Sequence, residues 1–198
     1  MQQWVRPMRS VLALLIMLTF GRLMIGPALA YDDLVLPKVA FSAVAIHETG
    51  AVRTREKIFY TPGKLRIEHG PGFAVTILDF TTQTQVVLMA NRTYIVMPMD
   101  DELFRRFIAR TVAMSGAHRM GVEHVDGMRA TKYAFGDDGA LNAAGFYWLA
   151  DDGIMLKRVY DDGVYGRNVH HRAWLTDLSI KPQPESLFGI PPGYKPTK

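Results

Sequence analysis

The sequence predicts a mainly β fold of the α+β class, an antiparallel sheet of about eleven strands wrapped part-way round one plug helix. Apolar residues recur with period two, rather than 3.6, through most of residues 37–180. Short polar or Gly/Pro segments separate these stretches, which is typical of an antiparallel meander. Only residues 101–116 change to a helical period. Because so many twisted strands tend to curl, we expect a curved half-barrel rather than a flat sheet.

Six strands are predicted before the helix. The first shows the alternation clearly, with Phe41 and Ala43 on one face and Ser42 and Val44 on the other. The connections are short and rich in turn residues, such as the Thr-Pro-Gly turn that precedes the third strand. The six predicted strands lie within residues 37–48, 52–60, 64–69, 73–80, 85–90 and 91–97.

The plug helix is predicted over residues 101–116. Asp100 or Asp101 can cap its N-terminus, and Gly116 lies where a helix ends. Its apolar stripe consists of Leu103, Phe104, Phe107, Ile108 and Val112. We expect this stripe to pack on the sheet, and the pattern leaves open whether it also lines a binding cavity.

Five more strands are predicted after the helix. They lie within residues 119–124, 128–135, 146–150, 154–160 and 167–180. Asp-Gly pairs between alternating strands indicate tight hairpins at residues 151–153 and 161–163. The tail over residues 182–196 is too rich in proline for a strand, although residues 185–188 can form one helical turn.

Residues 1–30 are predicted to be a cleaved export signal, and residues 31–198 a single domain. Arg6 and Arg9 precede ten apolar residues, and Ala28-Leu29-Ala30 has the A-x-A form of a cleavage site. The alternative is a retained membrane anchor, but ten apolar residues are too few to cross a hydrocarbon core of about 30 Å. We therefore expect a mature form that does not span a membrane.

Charge and cysteine content narrow the function classes. Three arginines and no acid lie in the signal, so residues 31–198 carry 20 Lys+Arg against 19 Asp+Glu. This near-equal balance of charges does not indicate nucleic-acid binding. The chain has no cysteine, which excludes disulfides, thiol catalysis, zinc–thiolate sites and a lipidated N-terminal cysteine. Export without cysteine favours a soluble protein of a bacterial periplasm.

Metal and catalytic motifs are not indicated. Neighbouring residues of a strand point to opposite faces, so Glu68/His69, Glu123/His124 and the pair His170/His171 cannot chelate within one strand. We therefore interpret the six histidines as polar-face residues. Asp-Gly turn chemistry explains the paired carboxylates, and no G-x-S-x-G elbow, EF-hand spacing or phosphate loop occurs. We expect no enzyme activity, no metal and no cofactor.

Apart from metal and catalytic motifs, the remaining feature of the sequence is a set of apolar residues that is rich in methionine. Met89, Met97, Met99 and Met114 cluster around the helix and the strands that lead into it. Methionine fills irregular core gaps, and it is also favoured where a surface adapts to varied apolar ligands. A cavity is most plausible in this region.

Several stretches, in their order along the chain, resemble the LolA/LolB-type lipoprotein-carrier superfamily of bacterial envelopes. They are the strand–Pro-Gly–strand unit, the central hairpin, the helix, the second hairpin with its Trp-containing strand, and the closing segment: residues 59–68, 75–98, 101–109, 121–158 and 187–194. The resemblance covers about residues 37–194. It implies a half-barrel whose concave face and helical plug form an apolar cavity for acyl chains.

The resemblance implies a set of candidate site residues. Arg66 matches the arginine that follows the Pro-Gly turn in the superfamily, where it tethers the plug. The parity of each strand, and hence the lining, can be wrong by one residue. The cavity candidates are Phe41, Ile58, Tyr60, Leu65, Ile67, Val75, Ile77, Met89, Tyr94, Val96, Phe104, Phe107 and Ile108.

Three functions follow as hypotheses. The first is a periplasmic binding or carrier protein for a lipid, an acyl chain or a lipoprotein. The second is an envelope interaction or sensor module with a filled core, which acts through its surface on a protein partner. The third is a hydrolase or metalloenzyme, which requires His171 to converge with acidic side chains of neighbouring strands.

Overall fold

The computed structural model describes residues 36–99, 117–136, 143–164 and 167–197, and these residues form one sheet of twelve strands. The strands are β1 Phe41–Thr49, β2 Val52–Thr61, β3 Lys64–Glu68, β4 Val75–Asp79, β5 Thr84–Leu88, β6 Thr93–Pro98, β7 His118–Val125, β8 Met128–Phe135, β9 Ala143–Ala150, β10 Met155–Val164, β11 Arg167–Ile180 and β12 Lys195–Pro196. All eleven predicted strands are present. The prediction of a mainly β fold is therefore confirmed.

The sheet consists of two meanders joined by one long-range pair of strands. Its order is β12-β6-β5-β4-β3-β2-β1-β11-β10-β9-β8-β7, so the sheet is open and its first and last members are not paired with each other. Strands β1 to β6 form one meander and β7 to β11 the other. They meet where β1 pairs antiparallel with β11, from Phe41 opposite Ile180 to Thr49 opposite His171.

The twelfth strand was not predicted, because proline cannot donate a ladder hydrogen bond. Only Lys195–Pro196 forms it, parallel to β6. The amides on either side of Pro196 make the bonds: Lys195 N donates to the Arg92 carbonyl and Thr197 N to the Tyr94 carbonyl. The proline thus lies between two donors and leaves no donor missing.

Turn chemistry explains one Asp-Gly hairpin and corrects the other. At residues 151–153 the turn forms as predicted, with Gly153 at φ +87° and its amide donating to the Ala150 carbonyl. The turn predicted at residues 161–163 is wrong. Asp161 pairs with His170 inside the β10–β11 ladder, and the ladder continues to Val164 opposite Arg167. The strand pattern therefore overrides the Asp-Gly signal there.

Both faces of the sheet carry packed apolar side chains around β3 to β5. On one face, here named the cavity face, Phe41, Tyr60, Leu65 and Leu78 are buried in the larger core cluster. On the opposite face, named the tail face, the second cluster is Ile77, Leu88 and Phe188, with partly buried Phe59, Val75, Val86, Tyr94, Leu187 and Tyr194 around it. This part of the sheet is thus covered on both sides.

The cover of the tail face is the C-terminal segment, residues 185–197. The predicted helical turn is confirmed as one turn of 3-10 helix over Glu185–Phe188, which buries Phe188. An ion pair of 2.6 Å joins Lys64 of β3 to Glu185. The segment then ends in β12, at the edge of the sheet.

Two predictions lie outside the described residues. They are the plug helix over residues 101–116, with Phe104, Phe107 and Ile108, and the signal over residues 1–30. Within the four described ranges, the one helical element is the 3-10 turn Glu185–Phe188. No helix of those ranges is long and apolar enough to cross a membrane.

Candidate ligand cavity

The cavity face holds a cavity of about 530 Å³. Strands from both meanders contribute to its wall, together with the segment that leads into β1. The lining includes Leu36, Pro37, Phe41, Ala45, His47, Thr49, Glu56, Ile58, Tyr60, Leu65, Ile67, His69, Thr76, Leu78, Phe80, Gln85, Leu149, Ile154, Met155, Arg158, Tyr160, His171, Ala173 and Leu175. Its volume falls within the range of about 300–1,000 Å³ that is usual for small-molecule sites.

One end of the cavity is apolar. Phe41, Tyr60, Leu65 and Leu78 are successive register partners across β1, β2, β3 and β4, so their side chains form one row on the same face. The rings of Phe41 and Tyr60 stack with centroids 5.3 Å apart. All four side chains are at most 7% exposed in this structure.

The segment ahead of β1 closes this apolar end. Tyr60 Oη donates a hydrogen bond of 2.9 Å to the Pro37 carbonyl. Lys38 N donates to the Asp152 carbonyl of the β9–β10 turn at 2.8 Å. Burial raises the pKa of the Tyr60 hydroxyl, a rise that a backbone hydrogen bond from Gly63 opposes. Tyr60 therefore stays neutral and acts as a donor that fixes the segment over the sheet.

A row of polar side chains crosses the cavity face further along the same strands. His69 Nδ1 lies 2.7 Å from Glu56 Oε1, and its Nε2 lies 3.0 Å from Thr76 Oγ1. Because an ionised carboxylate only accepts, Nδ1 carries the proton that is donated to Glu56. His47 Nε2 approaches the other oxygen of Glu56 at 3.5 Å. The carboxylate of Glu56, on β2, thus bridges His47 of β1 and His69, which lies just after β3.

This arrangement changes the acidity of Glu56. The hydrogen bond with His47, together with the hydrogen bond to His69 and the charges of both rings, lowers the pKa of Glu56 to about 2, although burial acts in the opposite direction. The Glu56 side chain is 22% exposed. Glu56 is therefore ionised at neutral and mildly acidic pH.

A stack of three planar groups lies across β10 and β11. The rings of Tyr160 and His171 are nearly parallel, with centroids 4.5 Å apart. The Arg158 guanidinium carbon lies 3.8 Å from the centroid of the Tyr160 ring. His171 Nδ1 is hydrogen-bonded to Thr49 Oγ1 of β1 at 3.1 Å. One hydrogen bond thus links the stack to β1 across the β1–β11 junction.

The lining therefore changes from apolar to polar along each strand. In strand order, the apolar and polar members are Phe41 and His47 on β1, Tyr60 and Glu56 on β2, Leu65 and His69 on and just after β3, Leu78 and Thr76 on β4, and Leu175 and His171 on β11. Because neighbouring strands run antiparallel, the polar members all come to the same end. The cavity is thus amphipathic along its length.

The predicted lining residues divide between the two faces of the sheet. Phe41, Ile58, Tyr60, Leu65 and Ile67 line the cavity. Five other predicted residues do not line it: Val75, Ile77 and Tyr94 belong to the cluster on the tail face, Val96 is 53% exposed, and Met89 lies after β5 outside the lining. Phe104, Phe107 and Ile108 lie outside the described residues. On β4, Thr76 and Leu78 take the cavity positions, one residue out of phase with the prediction.

The described contacts of Arg66 lie on the tail face. It alternates with Leu65 and Ile67 and therefore lies on the tail face. Its Nη1 donates a hydrogen bond of 3.0 Å to the Leu187 carbonyl, and its Nε and Nη2 both lie 2.9 Å from Glu68 Oε1. Its described contacts thus tether the C-terminal segment, and the predicted contact with the plug helix lies outside the described residues.

The polar end was missed from the sequence because the histidines were interpreted as polar-face residues. His118, His124 and His170 are exposed, but His47, His69 and His171 line the cavity. The β2–β3 register contains a signal, because its last pair is Lys57 opposite Glu68, and the next residue on each strand is Glu56 and His69. Among the residues the structure describes, no group of three or more His, Cys, Asp or Glu is arranged to hold a metal ion.

Comparison with known proteins gives a likeness of fold. No protein-family model and no curated protein sequence matches the chain. An uncharacterised conserved protein of Thermus thermophilus is 14% identical with a TM-score of 0.55, over 84% of this chain and 92% of that one. MucB in the Pseudomonas aeruginosa MucA/MucB complex is 18% identical with a TM-score of 0.46, over 79% of this chain and 58% of that chain.

A third solved structure is an outer-membrane lipoprotein-sorting protein domain of Vibrio parahaemolyticus. It is 8% identical with a TM-score of 0.33, over 76% of this chain and 89% of that one. At these identities the likeness concerns the fold alone.

Proposed function

We propose that this protein is a non-enzymatic binding or carrier protein whose cavity accepts the acyl chain of a lipid or an acylated protein. The observation that carries the proposal is the cavity of about 530 Å³, which has a buried apolar row at one end. Each methylene group that leaves water for this row contributes about 0.8 kcal/mol. A chain of ten or more methylenes therefore gains enough free energy for measurable binding.

A pair of matched substitutions on β1 tests the proposal. Ala45 lines the cavity and is 6% exposed, so Ala45→Phe places a ring in the space that the ligand would use. Val44 lies on the opposite face of the same strand, so Val44→Phe serves as the control. Binding of a fluorescent fatty acid should be lost in the first variant and retained in the second.

Native mass spectrometry of the protein purified from periplasm gives an independent measurement. A co-purified lipid that disappears on delipidation would support the proposal. The proposal fails if wild-type protein carries no lipid and binds no fluorescent fatty acid.

We also propose that the protein is exported to the periplasm. The signal features of residues 1–30, with Ala28-Leu29-Ala30 before Tyr31, support this location. Intact-mass measurement of the protein recovered from periplasm should show a chain that begins at or near Tyr31. Recovery of the uncut chain in the membrane fraction would contradict it.

A second candidate function is a module that binds a protein strand at the β7 edge. Met120 and Val122 of β7 are 59% and 41% exposed, and among the described residues β7 pairs with β8 alone. Exposed edge strands of this kind can receive a strand from another chain. Val122→Lys should abolish capture of a specific envelope protein if this candidate is correct, and should leave fatty-acid binding unchanged.

A further inference from the structure

Three side chains of the cavity wall follow one another in the order carboxylate, imidazole, hydroxyl. Glu56 Oε1 lies 2.7 Å from His69 Nδ1, and His69 Nε2 lies 3.0 Å from Thr76 Oγ1. All three residues line the cavity. A hydroxyl within hydrogen-bond reach of a base, with the base oriented by a third group, is the arrangement that activates a nucleophile.

The protonation of the His69 ring suits this role. Hydrogen bonds with His47 and His69 lower the pKa of Glu56 to about 2, so the carboxylate is ionised at neutral pH. Because Nδ1 donates its proton to that carboxylate, Nε2 of the neutral ring is an acceptor and Thr76 Oγ1 donates to it. The ring is therefore held in the tautomer that can take the hydroxyl proton.

Thr76 lies at the boundary between the apolar and polar parts of the cavity. The register joins Ile58, Ile67 and Thr76 in one row across β2, β3 and β4, next to the buried row that contains Leu65 and Leu78. Two residues of β4 separate Thr76 from Leu78, a distance of roughly 7 Å. An acyl chain that lies along the buried row can thus bring its carbonyl carbon to the Thr76 hydroxyl.

We propose that Thr76 accepts an acyl group from a long-chain ester or thioester bound in the cavity, with His69 as the general base and Glu56 as the residue that positions His69. This inference rests on the proposed function, because the cavity must first bind the acyl chain. It adds a covalent attachment point to the binding site.

The step needs no reactant besides the ester or thioester. Thr76 Oγ1 bonds to the acyl carbon while its proton passes to His69 Nε2. The bond from the acyl carbon to the leaving oxygen or sulfur then breaks, and His69 returns the same proton to the leaving group. The products are an acyl ester of Thr76 and a free alcohol or thiol, and nothing is oxidised or reduced.

Reaction with p-nitrophenyl octanoate tests the proposal. Its good leaving group lowers the barrier to acyl transfer, and the released p-nitrophenolate is followed by absorbance. Wild type should gain one octanoyl group in intact-mass measurements, and peptide mapping should place that group on Thr76. The acetate ester should react at least about tenfold more slowly at equal concentration, because its chain is too short to occupy the apolar row.

Two threonine variants separate Thr76 from other acceptors. Thr76→Val keeps the shape of the side chain and removes the hydroxyl, so the octanoyl group should be lost. Thr84→Val is the matched control, because Thr84 lies on the neighbouring strand β5, is hydrogen-bonded to Thr82 at 2.8 Å and lies outside the lining. This control should be octanoylated at the wild-type rate.

Variants of the other two residues test their roles. His69→Gln should slow octanoylation by about a hundred- to ten-thousandfold, the range for loss of a general base. Glu56→Gln should slow it by about tenfold or more, because the amide no longer fixes the tautomer of the ring. Glu56→Asp restores the carboxylate and should recover part of the rate, which a merely structural role of the side-chain size would not produce.

Binding of the fluorescent fatty acid, measured on the same wild-type preparation, separates this inference from the carrier function. If the fatty acid binds but Thr76 gains no octanoyl group, the inference is overturned while the carrier function stands. Octanoylation of Thr76→Val at the wild-type rate would also overturn it. If neither probe binds or reacts, both proposals fail. Should His69→Gln or Glu56→Gln not fold, the comparison of wild type with Thr76→Val decides alone.

Discussion

Glu56 provides a direct test of the polar row, because its ionisation is coupled to folding. In Glu56→Gln the side chain keeps its size and loses its charge, so His47 and His69 lose their shared carboxylate. The wild-type hydrogen bond between His69 Nδ1 and Glu56 Oε1 is 2.7 Å long. We expect the variant to be less stable than wild type at pH 5, where Glu56 is ionised in the folded protein.

The size of the effect follows from the pKa of Glu56, which is lowered from 4.5 to about 2 in the folded protein. Each unit corresponds to 1.36 kcal/mol, so ionised Glu56 contributes about 3 kcal/mol to the free energy of unfolding. A lowered carboxyl pKa means that this contribution is present above pH 4.5. It is lost progressively as the pH falls from about 4.5 to about 2.

Urea denaturation at several pH values, followed by the fluorescence of Trp148 and Trp174, measures the effect. Wild type should lose about 3 kcal/mol more than Glu56→Gln between pH 5 and pH 2. Asp177→Asn is the control, since Asp177 is 72% exposed and 3.8 Å from Arg55. Parallel loss of stability in wild type and Glu56→Gln would refute the reasoning.

Three further substitutions test the packing. Arg66→Ala should increase hydrogen exchange over residues 185–197 and cost about 1–3 kcal/mol of unfolding free energy, because a side chain that is 13% exposed loses its hydrogen bonds. Lys64→Ala should cost less than about 1 kcal/mol, because its partner Glu185 is 77% exposed. Ile154→Ala should cost about 2–5 kcal/mol in urea denaturation, since Ile154 is 0% exposed, and a smaller loss would contradict its place in the core. Gly145→Ala should lower the melting temperature, because a Cβ there would lie 2.6 Å from Tyr160 Cα, whereas Gly136→Ala, which meets no atom within 4 Å, should not.

Strand positions were predictable because most strands alternate clearly. The parity of β4 was not, because the stretch around Val75, Thr76, Ile77 and Leu78 is buried on both faces. The C-terminal segment covers the side that would otherwise face water, and Phe188 packs against Ile77 there. Alternation of apolar and polar residues identifies the buried face of a strand only where the opposite face is exposed to solvent. The cavity face of β4 was therefore assigned one residue out of phase.

The polar end could not be predicted because it depends on which strands become neighbours. His171 lies 122 residues from its hydrogen-bond partner Thr49, and only the β1–β11 pairing brings them together. His69 and Glu56 are closer in sequence, and the register of one hairpin suffices to join them. The contact between His69 and Glu56 thus follows from spacing within one hairpin, whereas the contact between Thr49 and His171 depends on the sheet topology.

The junction of β1 with β11 has a consequence for how the protein folds. Each meander can form from neighbours in sequence, whereas the junction pairs Phe41 with Ile180 and closes a loop of most of the chain. Contacts of such long sequence separation form slowly, so this ladder is expected to be the late, rate-limiting step. Since Phe41 and His171 lie on opposite sides of it, the cavity exists only after that step. A ligand bound in the cavity is therefore expected to slow unfolding by holding the two meanders together.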